Sequence, residues 1–490
     1  MEDDWTANAN DALTISLVRP GPSSKIETIA SFNPRFTYAI FGEEEHIFGY
    51  KGLKVNLKYD ARDLRPNLTV TYNRKFNAVG EVEALDIKET LRDFLPAVAF
   101  QSKSDYEKAA KDLPKTWVPP GRLVETYEKN GETYEIFHGM LNDPAIKQLV
   151  RRIQIVALFC IEGATYTGED ADGNIEPDYS LARWSVFFVY KKEMKQDPQY
   201  TFQGYSTVYN FWVFQTSGLQ GNLQTVLSNG PEELNPTHRM RISQFLILPP
   251  SQGKGVGALL YNTIFRIGIK TPSAMEVAVE DPNEDFDLLR DVCDLKYLRK
   301  NVPEFVNLRI NTDVTIPEKG GILRNDTRVT SPRSSSGSIV SSSGGIVDLV
   351  KLEKLRLKTK IARRQFWRLV EMHLMSTLPA SVRPLLDDDA AKPKKSKADE
   401  HAYVLWRLVL KQRVYRRNIS QLGEFSITER IIKLNETVGS IEWEYAAILA
   451  RLESTPTAAN NSAANGKRKL SSDDVEMGDV EMPSSKKPRA

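Results

Sequence analysis

The sequence contains little cysteine and little histidine. Its 490 residues include two cysteines and five histidines. Cys160 lies in an apolar run and Cys293 follows a charged stretch, and two cysteines placed in this way provide neither a disulfide framework nor a zinc site. We therefore expect two reduced structural thiols. The spacing of His, Cys and carboxylate residues also predicts no metal site.

Long hydrophobic runs and a leader segment are missing as well. The longest apolar runs, residues 153–161 and 183–190, are far shorter than the ~20 residues that a bilayer crossing needs. The amino terminus, Met-Glu-Asp-Asp-Trp, lacks the basic and apolar regions of a secretory signal. We expect an intracellular protein that has no membrane partner.

The composition is that of a globular protein with several domains. Hydrophobic residues make up 41% and charged residues 27% of the chain, and 490 residues exceed what one core usually holds. Residues 53–59 alternate at the strand period, residues 81–113 look helical, and Trp-Val-Pro-Pro-Gly interrupts the pattern at 117–121. We predict an amino-terminal α+β domain over residues 1–140.

The middle of the chain reads as a mixed β-sheet. Segments rich in β-branched and aromatic residues predict four strands, followed by a helix and a further strand. The predicted strands are 153–162, 183–190, 205–214 and 242–248, the helix is 257–267, and the last strand is 275–279. We assign this sheet to a domain over residues 141–315.

The last third of the chain changes character. A Ser- and Gly-rich stretch predicts a linker over residues 316–346. Helical spacing then recurs at 347–375, 400–418 and 428–452, so we predict a helical bundle over residues 347–453 with a Lys-rich insert at 385–399. The polar tail, 454–490, is expected to be disordered. The fold class is α+β.

A glycine-rich turn between a strand and a helix is the most informative motif. It reads Gln252-Gly-Lys-Gly255-Val-Gly257 and follows the apolar segment 241–250. Glycines allow backbone N–H groups to converge on a phosphate, and the helix amino terminus adds partial positive charge. The pattern does not end in Lys-Ser or Lys-Thr, so a Walker A loop is excluded.

Two other interpretations of this turn remain open from the pattern alone. Gly253-Lys-Gly255-Val-Gly-Ala258 fits a dinucleotide-binding fingerprint, and Glu276 and Glu280 lie on the next strand. A glycine turn without a ligand also fits. Only one strand–helix–strand unit is visible, whereas a dinucleotide-binding domain needs several.

The same residues resemble a known family. Gln252 to Gly257 is similar to the Gln/Arg-x-x-Gly-x-Gly/Ala motif of the GNAT acetyltransferases. Residues 241–250, 279–284, 289–291, 41–54 and 204–211 resemble the type B histone acetyltransferase catalytic subunit, in particular its fungal members. The resemblance spans residues 10–310, weakens between 320 and 460, and is absent in the tail. It implies a GNAT mixed β-sheet core and acetyl-CoA as co-substrate, with no metal.

The resemblance also implies roles for individual residues. Glu280 matches the general base, and Glu162 and Asp281 match acidic residues that assist it; from the pattern alone each could be a solvated residue at a strand end. Acetyl-CoA would contact the backbone of Phe245, Leu246 and Ile247, the loop residues Gln252, Gly253, Lys254, Gly255, Val256, Gly257 and Ala258, and Asn283. Val292 stands where a related enzyme has a basic contact, which is a departure from the family.

A cationic tail needs acidic and aromatic partners. The residues that match the family's tail-contacting surface are Glu43, Glu44, Glu45, Trp184, Tyr209, Asn210 and Phe211. By resemblance, the substrate is newly made histone H4 (with H3), acetylated at the fifth and twelfth tail positions, and the partner is a WD-repeat histone chaperone. An acetyltransferase acting on another amine, an NAD-dependent oxidoreductase and a non-catalytic chromatin adaptor are the alternatives.

Basic residues cluster in two further places. The segment 351–368 carries eight Lys and Arg residues, which we interpret as a solvated helix face; we expect no direct binding of nucleic acid. Lys467-Arg-Lys469 and Lys486-Lys-Pro-Arg489 resemble a bipartite nuclear localisation signal. We therefore expect the protein in both cytoplasm and nucleus.

Overall fold

The computed structural model describes residues 5–21, 25–169, 173–193, 199–213, 237–316, 345–384, 386 and 394–454. The predicted linker (apart from its ends), most of the Lys-rich insert, and the predicted tail with its nuclear localisation signal lie outside these residues.

Strands form four sheets in the described chain. The strands are β1 (Thr6–Asn8), β2 (Leu13–Pro20), β3 (Ile26–Phe32), β4 (His46–Phe48), β5 (Tyr50–Lys51), β6 (Lys54–Asp60), β7 (Pro66–Thr71), β8 (Arg74–Lys75), β9 (Arg122–Lys129), β10 (Glu132–Met140), β11 (Trp184–Glu193), β12 (Gln199–Trp212), β13 (His238–Ile247) and β14 (Ala274–Val279).

Helices surround these sheets. They are α1 (Ala9–Ala12), α2 (Tyr38–Phe41), α3 (Ile87–Thr90), α4 (Lys103–Asp112), α5 (Pro144–Ile153), α6 (Ile155–Cys160), α7 (Asp178–Leu181), α8 (Val256–Lys270), α9 (Glu284–Asn301), α10 (Pro303–Val306), α11 (Leu349–Thr359), α12 (Arg363–Ser376), α13 (Lys397–Arg417), α14 (Ile419–Gly423) and α15 (Ile427–Ser454), with short 3-10 turns at Ala97–Phe100 and Pro249–Ser251. The resulting architecture is mixed α+β, as expected. None of the described helices has the length and apolarity to cross a bilayer.

The central sheet has six strands in the order β14-β13-β12-β11-β10-β9, and only the β13–β14 pair is parallel. Strands β9 and β10 precede residue 141, so this sheet extends back across the predicted domain boundary. A second sheet, β3-β2-β6-β7, lies in the amino-terminal part, where β6 covers the predicted alternating strand 53–59.

The middle of the central sheet is buried on both faces. Residues Val186 to Tyr190 of β11 are each 0% exposed. Because side chains alternate along a strand, Phe187 and Val189 join a core formed with α8, α9 and the carboxy-terminal helices, whereas Val186, Phe188 and Tyr190 join a core formed with the amino-terminal sheet, α5 and α6. The sheet is thus the middle layer between two cores.

The prediction of a strand at 153–162 is wrong, because α5 and α6 occupy this segment. Residues Ile155 to Phe159 are all buried. A helix that is buried on every side has no polar face, so its sequence has the same continuous apolar character as a buried strand. Glu162 therefore follows the end of a helix.

The prediction of one helix over 347–375 is also wrong. The segment forms α11 and α12, which are separated at Lys360, where φ is +53°. The basic residues here are not simply solvated. Arg356 pairs with Glu353 and Glu276, Arg368 with Asp291 and Glu444, and Lys360 Nζ donates to the carbonyls of Gly268 and Thr271.

Candidate active site

The glycine loop joins β13 to α8 and is fixed by side chains on both sides. Ser251 Oγ donates to Gln203 Oε1 at 2.7 Å, and Gln252 Nε2 donates to the Ile247 carbonyl at 2.8 Å. Gly255, the N-cap of α8, has a φ of +79° and makes no side-chain capping bond. The first N–H groups of α8 are therefore left without a side-chain acceptor, which is the arrangement that binds anions.

A cleft opens between β13 and β14 where their pairing ends. The parallel register runs from His238 with Ala274 to Ile242 with Val279 and stops there. The cleft beyond has a volume of about 510 Å³. Its lining includes every predicted cofactor-binding residue except Lys254: Phe245, Leu246, Ile247, Gln252, Gly253, Gly255, Val256, Gly257, Ala258 and Asn283.

The backbone of β13 presents two of the three predicted amides to this cleft. Leu248 N donates to the Gln203 carbonyl, and Leu246 lies opposite Tyr205 on β12. Since hydrogen bonding alternates along an antiparallel strand, the N–H of Leu246 is directed towards β12, whereas those of Phe245 and Ile247 are directed towards the opening. Leu246 contributes a largely buried side chain instead.

A second cleft of about 530 Å³ contains the three predicted catalytic carboxylates, Glu162, Glu280 and Asp281. It is continuous with the first cleft, because both are lined by Arg35, Cys160, Ile161, Phe245, Asn283, Asp285 and Phe286. The fold therefore brings residues from distant segments together. A group of acidic residues lies next to the glycine loop, which we call the glycine cradle.

Glu280 is held at the end of β14 by hydrogen bonds and charge. Its Oε2 accepts from Ser243 Oγ at 2.7 Å, its Oε1 lies 3.2 Å from Arg241 Nη1, and its N–H donates to the Ile242 carbonyl at 2.9 Å. Asp281 follows with a φ of +34°, a conformation that is rare for a residue with a side chain. This tight turn directs the chain away from the sheet at the cleft.

Glu162 reaches the cleft through contacts with the amino-terminal region. The N–H groups of Arg35 and Phe36 donate to the Phe159 carbonyl at the end of α6, at 2.8 and 3.2 Å. Tyr38 Oη accepts from the N–H of Gly163 at 2.7 Å. Residues 35–38 thus pack against the segment that carries Glu162, and Arg35 and Phe36 line the cleft.

Asn283 and Cys160 both line the two clefts, and each has a further structural feature that the sequence did not predict. The side chain of Asn283 caps α9 by accepting from the Phe286 N–H at 2.9 Å. Cys160, interpreted from the sequence as a structural thiol, is half-buried and lines both clefts, and burial raises the pKa of its thiol to about 12. Such a thiol is protonated at neutral pH.

The predicted tail-contacting aromatic residues form a row across the central sheet. Trp184 pairs with Tyr209 and Tyr209 with Arg241 in the strand register, so the row ends beside Glu280. The rings of Trp184 and Tyr209 lie 4.7 Å apart, and Phe211 is 48% exposed. The backbone of Asn210 is bound to Arg183: its N–H donates to the Arg183 carbonyl at 2.9 Å, and its carbonyl accepts from Arg183 Nη2 at 3.4 Å.

The three predicted glutamates divide into two groups. Glu43 and Glu44 are exposed, whereas Glu45 turns inward and accepts hydrogen bonds from the N–H groups of Thr37 and Tyr38 and from Asn10. Partial burial opposes ionisation of Glu45, but these bonds outweigh it and lower its pKa. Its carboxylate therefore fixes the turn at α2.

Sequence reasoning missed Arg35, Phe36, Arg241 and Ser243. Arg241 and Ser243 are two residues apart on β13, so their side chains share the face next to Glu280. The strand period could have predicted this. Arg35 and Phe36 carry no comparable signal, because only the tertiary contact with Phe159 brings them to the cleft.

The dinucleotide-binding interpretation does not fit the sheet. That fold requires several parallel strands with crossover helices. In the described part of the central sheet, β13 and β14 form the only parallel pair.

Comparison with known proteins gives consistent matches. A family model described as the N-terminus of histone acetyl transferase HAT1 matches residues 5–162, and one described as the C-terminal part of fungal HAT1 matches residues 346–379. A protein of Gibberella zeae is 44% identical over 486 residues, covering 97% of both chains. Proteins of Pyricularia oryzae and Neurospora crassa are 43% and 39% identical, covering 99% and 97% of this chain and 98% and 96% of their own lengths. All three are named histone acetyltransferase type B catalytic subunit.

Proposed function

This chain belongs to the family of histone acetyltransferase type B catalytic subunits, and on that premise we propose that it transfers acetyl from acetyl-CoA to lysines in the amino-terminal tail of histone H4. The observation that supports this most strongly is the continuity of two clefts. One contains a glycine cradle for phosphates, and the other contains three carboxylates.

The first cleft suits acetyl-CoA, and we propose that the central sheet around it is a GNAT core. The N–H groups at the start of α8 have no side-chain cap and would bind the diphosphate. Gly255 has no room for a side chain, because a Cβ atom there would lie 1.8 Å from Lys129 Nζ. The open edge of β13 offers the Phe245 and Ile247 N–H groups to the amide-containing arm. Bound acetyl-CoA would supply the activated acetyl group.

Glu280 is proposed as the general base. The lysine nitrogen forms a bond to the acetyl carbon while the bond from that carbon to sulfur breaks, and CoA leaves as a thiolate. The proton that the nitrogen loses passes to the Glu280 carboxylate, directly or through one water. Ser243 and Arg241 hold this carboxylate in place, and Glu162 and Asp281 add negative charge that attracts the cationic lysine.

The acidic residues of the second cleft, the exposed glutamates and the aromatic row support a basic peptide as the second substrate. Glu43, Glu44, Glu162 and Asp281 supply negative charge, and Phe211 supplies an exposed ring beside Tyr209. The choice of histone H4 (with H3), and of its fifth and twelfth tail residues, rests on the family resemblance alone, as does a WD-repeat chaperone partner. A different amine or protein substrate is the alternative.

The test replaces Glu280 with glutamine. We expect Glu280→Gln to bind acetyl-CoA as the wild type does and to lower kcat on an H4 tail peptide by about 100-fold or more, because a general base is lost. Glu436→Gln, which removes an exposed carboxylate from α15 outside both clefts, is the control and should retain full activity. Wild-type turnover by Glu280→Gln would exclude the proposed base.

We also propose that the protein enters the nucleus through the basic clusters at 467–469 and 486–489, which flank a Ser-rich acidic spacer. Residues 460–490 fused to a cytosolic reporter should concentrate it in nuclei. Phosphorylation beside the clusters would add negative charge and weaken import. An evenly distributed reporter would show that the tail is not a sufficient signal.

A further inference from the structure

Lys129 is the last residue of β9 and lies at the tip of the β9–β10 hairpin. The turn beyond it is tight, because Asn130 and Gly131 both have positive φ, +53° and +76°. The hairpin tip meets the glycine loop: a Cβ atom added to Gly255 would lie 1.8 Å from Lys129 Nζ. The ammonium group is therefore packed directly against the N-cap of α8.

Lys129 and Lys254 both lie at the glycine loop. Lys254 is exposed on the same loop. Of the carboxylates on the hairpin, Glu132 is already paired with Lys191 at 2.6 Å and Glu128 accepts a hydrogen bond from Thr133. Among the described residues, neither Lys129 nor Lys254 takes part in a salt bridge.

The helix terminus adds to this charge. The first turn of α8 contains no acidic residue and its N-cap provides no side-chain acceptor, so the partial positive charge of the helix end is not compensated locally. The Lys129 ammonium group beside such an end is repelled by the helix dipole. A bound phosphate relieves this repulsion and accepts hydrogen bonds from both the ammonium group and the helix N–H groups.

We propose that Lys129 binds a phosphate group of acetyl-CoA, so that the β9–β10 hairpin forms a second wall of the cofactor site. This inference rests on the proposed function, because it assumes that acetyl-CoA occupies the cleft beside Gly255. The phosphate is either in the diphosphate, which the glycine loop cradles, or the 3′-phosphate of the adenosine. Both present the same anionic oxygens to the ammonium group.

A purely structural role for Lys129 makes a different prediction. If its side chain only fills the space above Gly255, methionine would serve as well, because its unbranched side chain is similar in length and apolar. If the ammonium group binds phosphate, methionine fails and arginine, which keeps the charge, succeeds. The pair Lys129→Met and Lys129→Arg therefore separates packing from charge.

The experiment titrates the full-length wild type and both variants with acetyl-CoA and with acetyl-dephospho-CoA, which lacks the 3′-phosphate. We expect Lys129→Met to raise the Kd for acetyl-CoA about tenfold, the loss of one charge-assisted hydrogen bond. Its kcat at saturating acetyl-CoA should stay near the wild-type value. Lys129→Arg should stay within about threefold of the wild type in Kd, on the same scale.

The comparison ligand identifies the phosphate. Weaker binding of both ligands assigns Lys129 to the diphosphate, and weaker binding of acetyl-CoA alone assigns it to the 3′-phosphate. Lys108→Met, an exposed lysine on α4, controls for the change in net charge and should bind like the wild type. A folded Lys129→Met variant with wild-type affinity for acetyl-CoA would overturn this proposal. Failure of the wild type itself to bind acetyl-CoA would instead overturn the proposed function.

Discussion

Asp294 shows how a single buried group ties α9 to its neighbours. It is 1% exposed and accepts hydrogen bonds from Tyr261 Oη at 2.8 Å and from Gln365 Nε2 at 3.2 Å. Arg290 and Asp291 are the charged groups beside it. Burial raises the pKa of Asp294 to about 7, against the lowering effect of Arg290. The folded protein therefore holds this proton more tightly than the unfolded chain does.

We predict that the contribution of Asp294 to stability falls as the pH rises. The pKa of Asp294 is higher in the folded than in the unfolded protein. Its contribution to stability is therefore fully present below the unfolded pKa of about 4 and is lost as the pH approaches 7. The free energy of unfolding of the wild type, minus that of Asp294→Asn, should decrease by up to about 4 kcal/mol between pH 4 and pH 7. Urea unfolding at several pH values measures it. A difference that is constant or grows with pH would contradict the prediction.

The residues that the sequence could identify are those with a motif around them. Gln252 to Ala258 belong to a contiguous pattern whose chemistry is local, and most of them line the cofactor cleft. Glu44 and Glu45 are adjacent and have the same chemistry, yet only Glu45 accepts hydrogen bonds from the turn at Thr37. No pattern in the chain distinguishes them, because the distinction depends on the backbone direction at one turn.

At the scale of elements, α11 and α12 attach the carboxy-terminal helices to the active-site scaffold. The Lys360 carbonyl accepts from the N–H of Val277, and Ile361 forms a bridge with the same residue on β14. Lys360 Nζ donates to the carbonyls of Gly268 and Thr271 at 3.3 and 2.6 Å, where α8 ends. One residue thus contacts the strand that precedes Glu280 and the helix that begins at the glycine cradle.

We predict that Lys360→Met destabilises the protein by about 1–3 kcal/mol, because it removes a charged cap from the carbonyls at the end of α8. Lys354→Met, on the exposed side of α11, is the matched control and should change stability by less than about 0.5 kcal/mol. Thermal unfolding of the two variants measures these changes in stability. Equal stability of the two variants would show that the cap at α8 contributes nothing.

The two wrong predictions of secondary structure, at 153–162 and 347–375, have the same physical cause. The pattern at 153–162 lacks a polar face because α6 is enclosed on all sides, and the break at Lys360 is imposed by its contacts with β14 and α8. Both depend on tertiary packing. In contrast, β13, α8 and α15 were predicted to within a few residues, because each keeps its own period. Strand β11 is buried on both faces and was predicted from its β-branched and aromatic residues instead.

At the scale of the whole molecule, one core joins the central sheet to the carboxy-terminal helices. Tyr134 and Ile242 of the sheet belong to the same buried cluster as Phe366, Trp406 and Tyr445. The Ser- and Gly-rich stretch suggested separate domains, but a composition change in the chain does not determine which apolar faces meet. The family match at 346–379 covers the segment where these layers join.

We therefore predict that the carboxy-terminal helices and the cofactor site unfold together. Trp406 on α13 is 0% exposed, and its Nε1 donates to the Glu371 carbonyl at 3.0 Å, whereas Trp443 on α15 is 64% exposed. Trp406→Ala should destabilise the protein by about 3–5 kcal/mol, and Trp443→Ala by less than about 1 kcal/mol. Because the core is shared, loss of helical signal and loss of acetyl-CoA binding on heating should coincide in both variants and in the wild type. A Trp406→Ala variant that loses part of its helical signal while still binding acetyl-CoA would show instead that the helices form an independent unit.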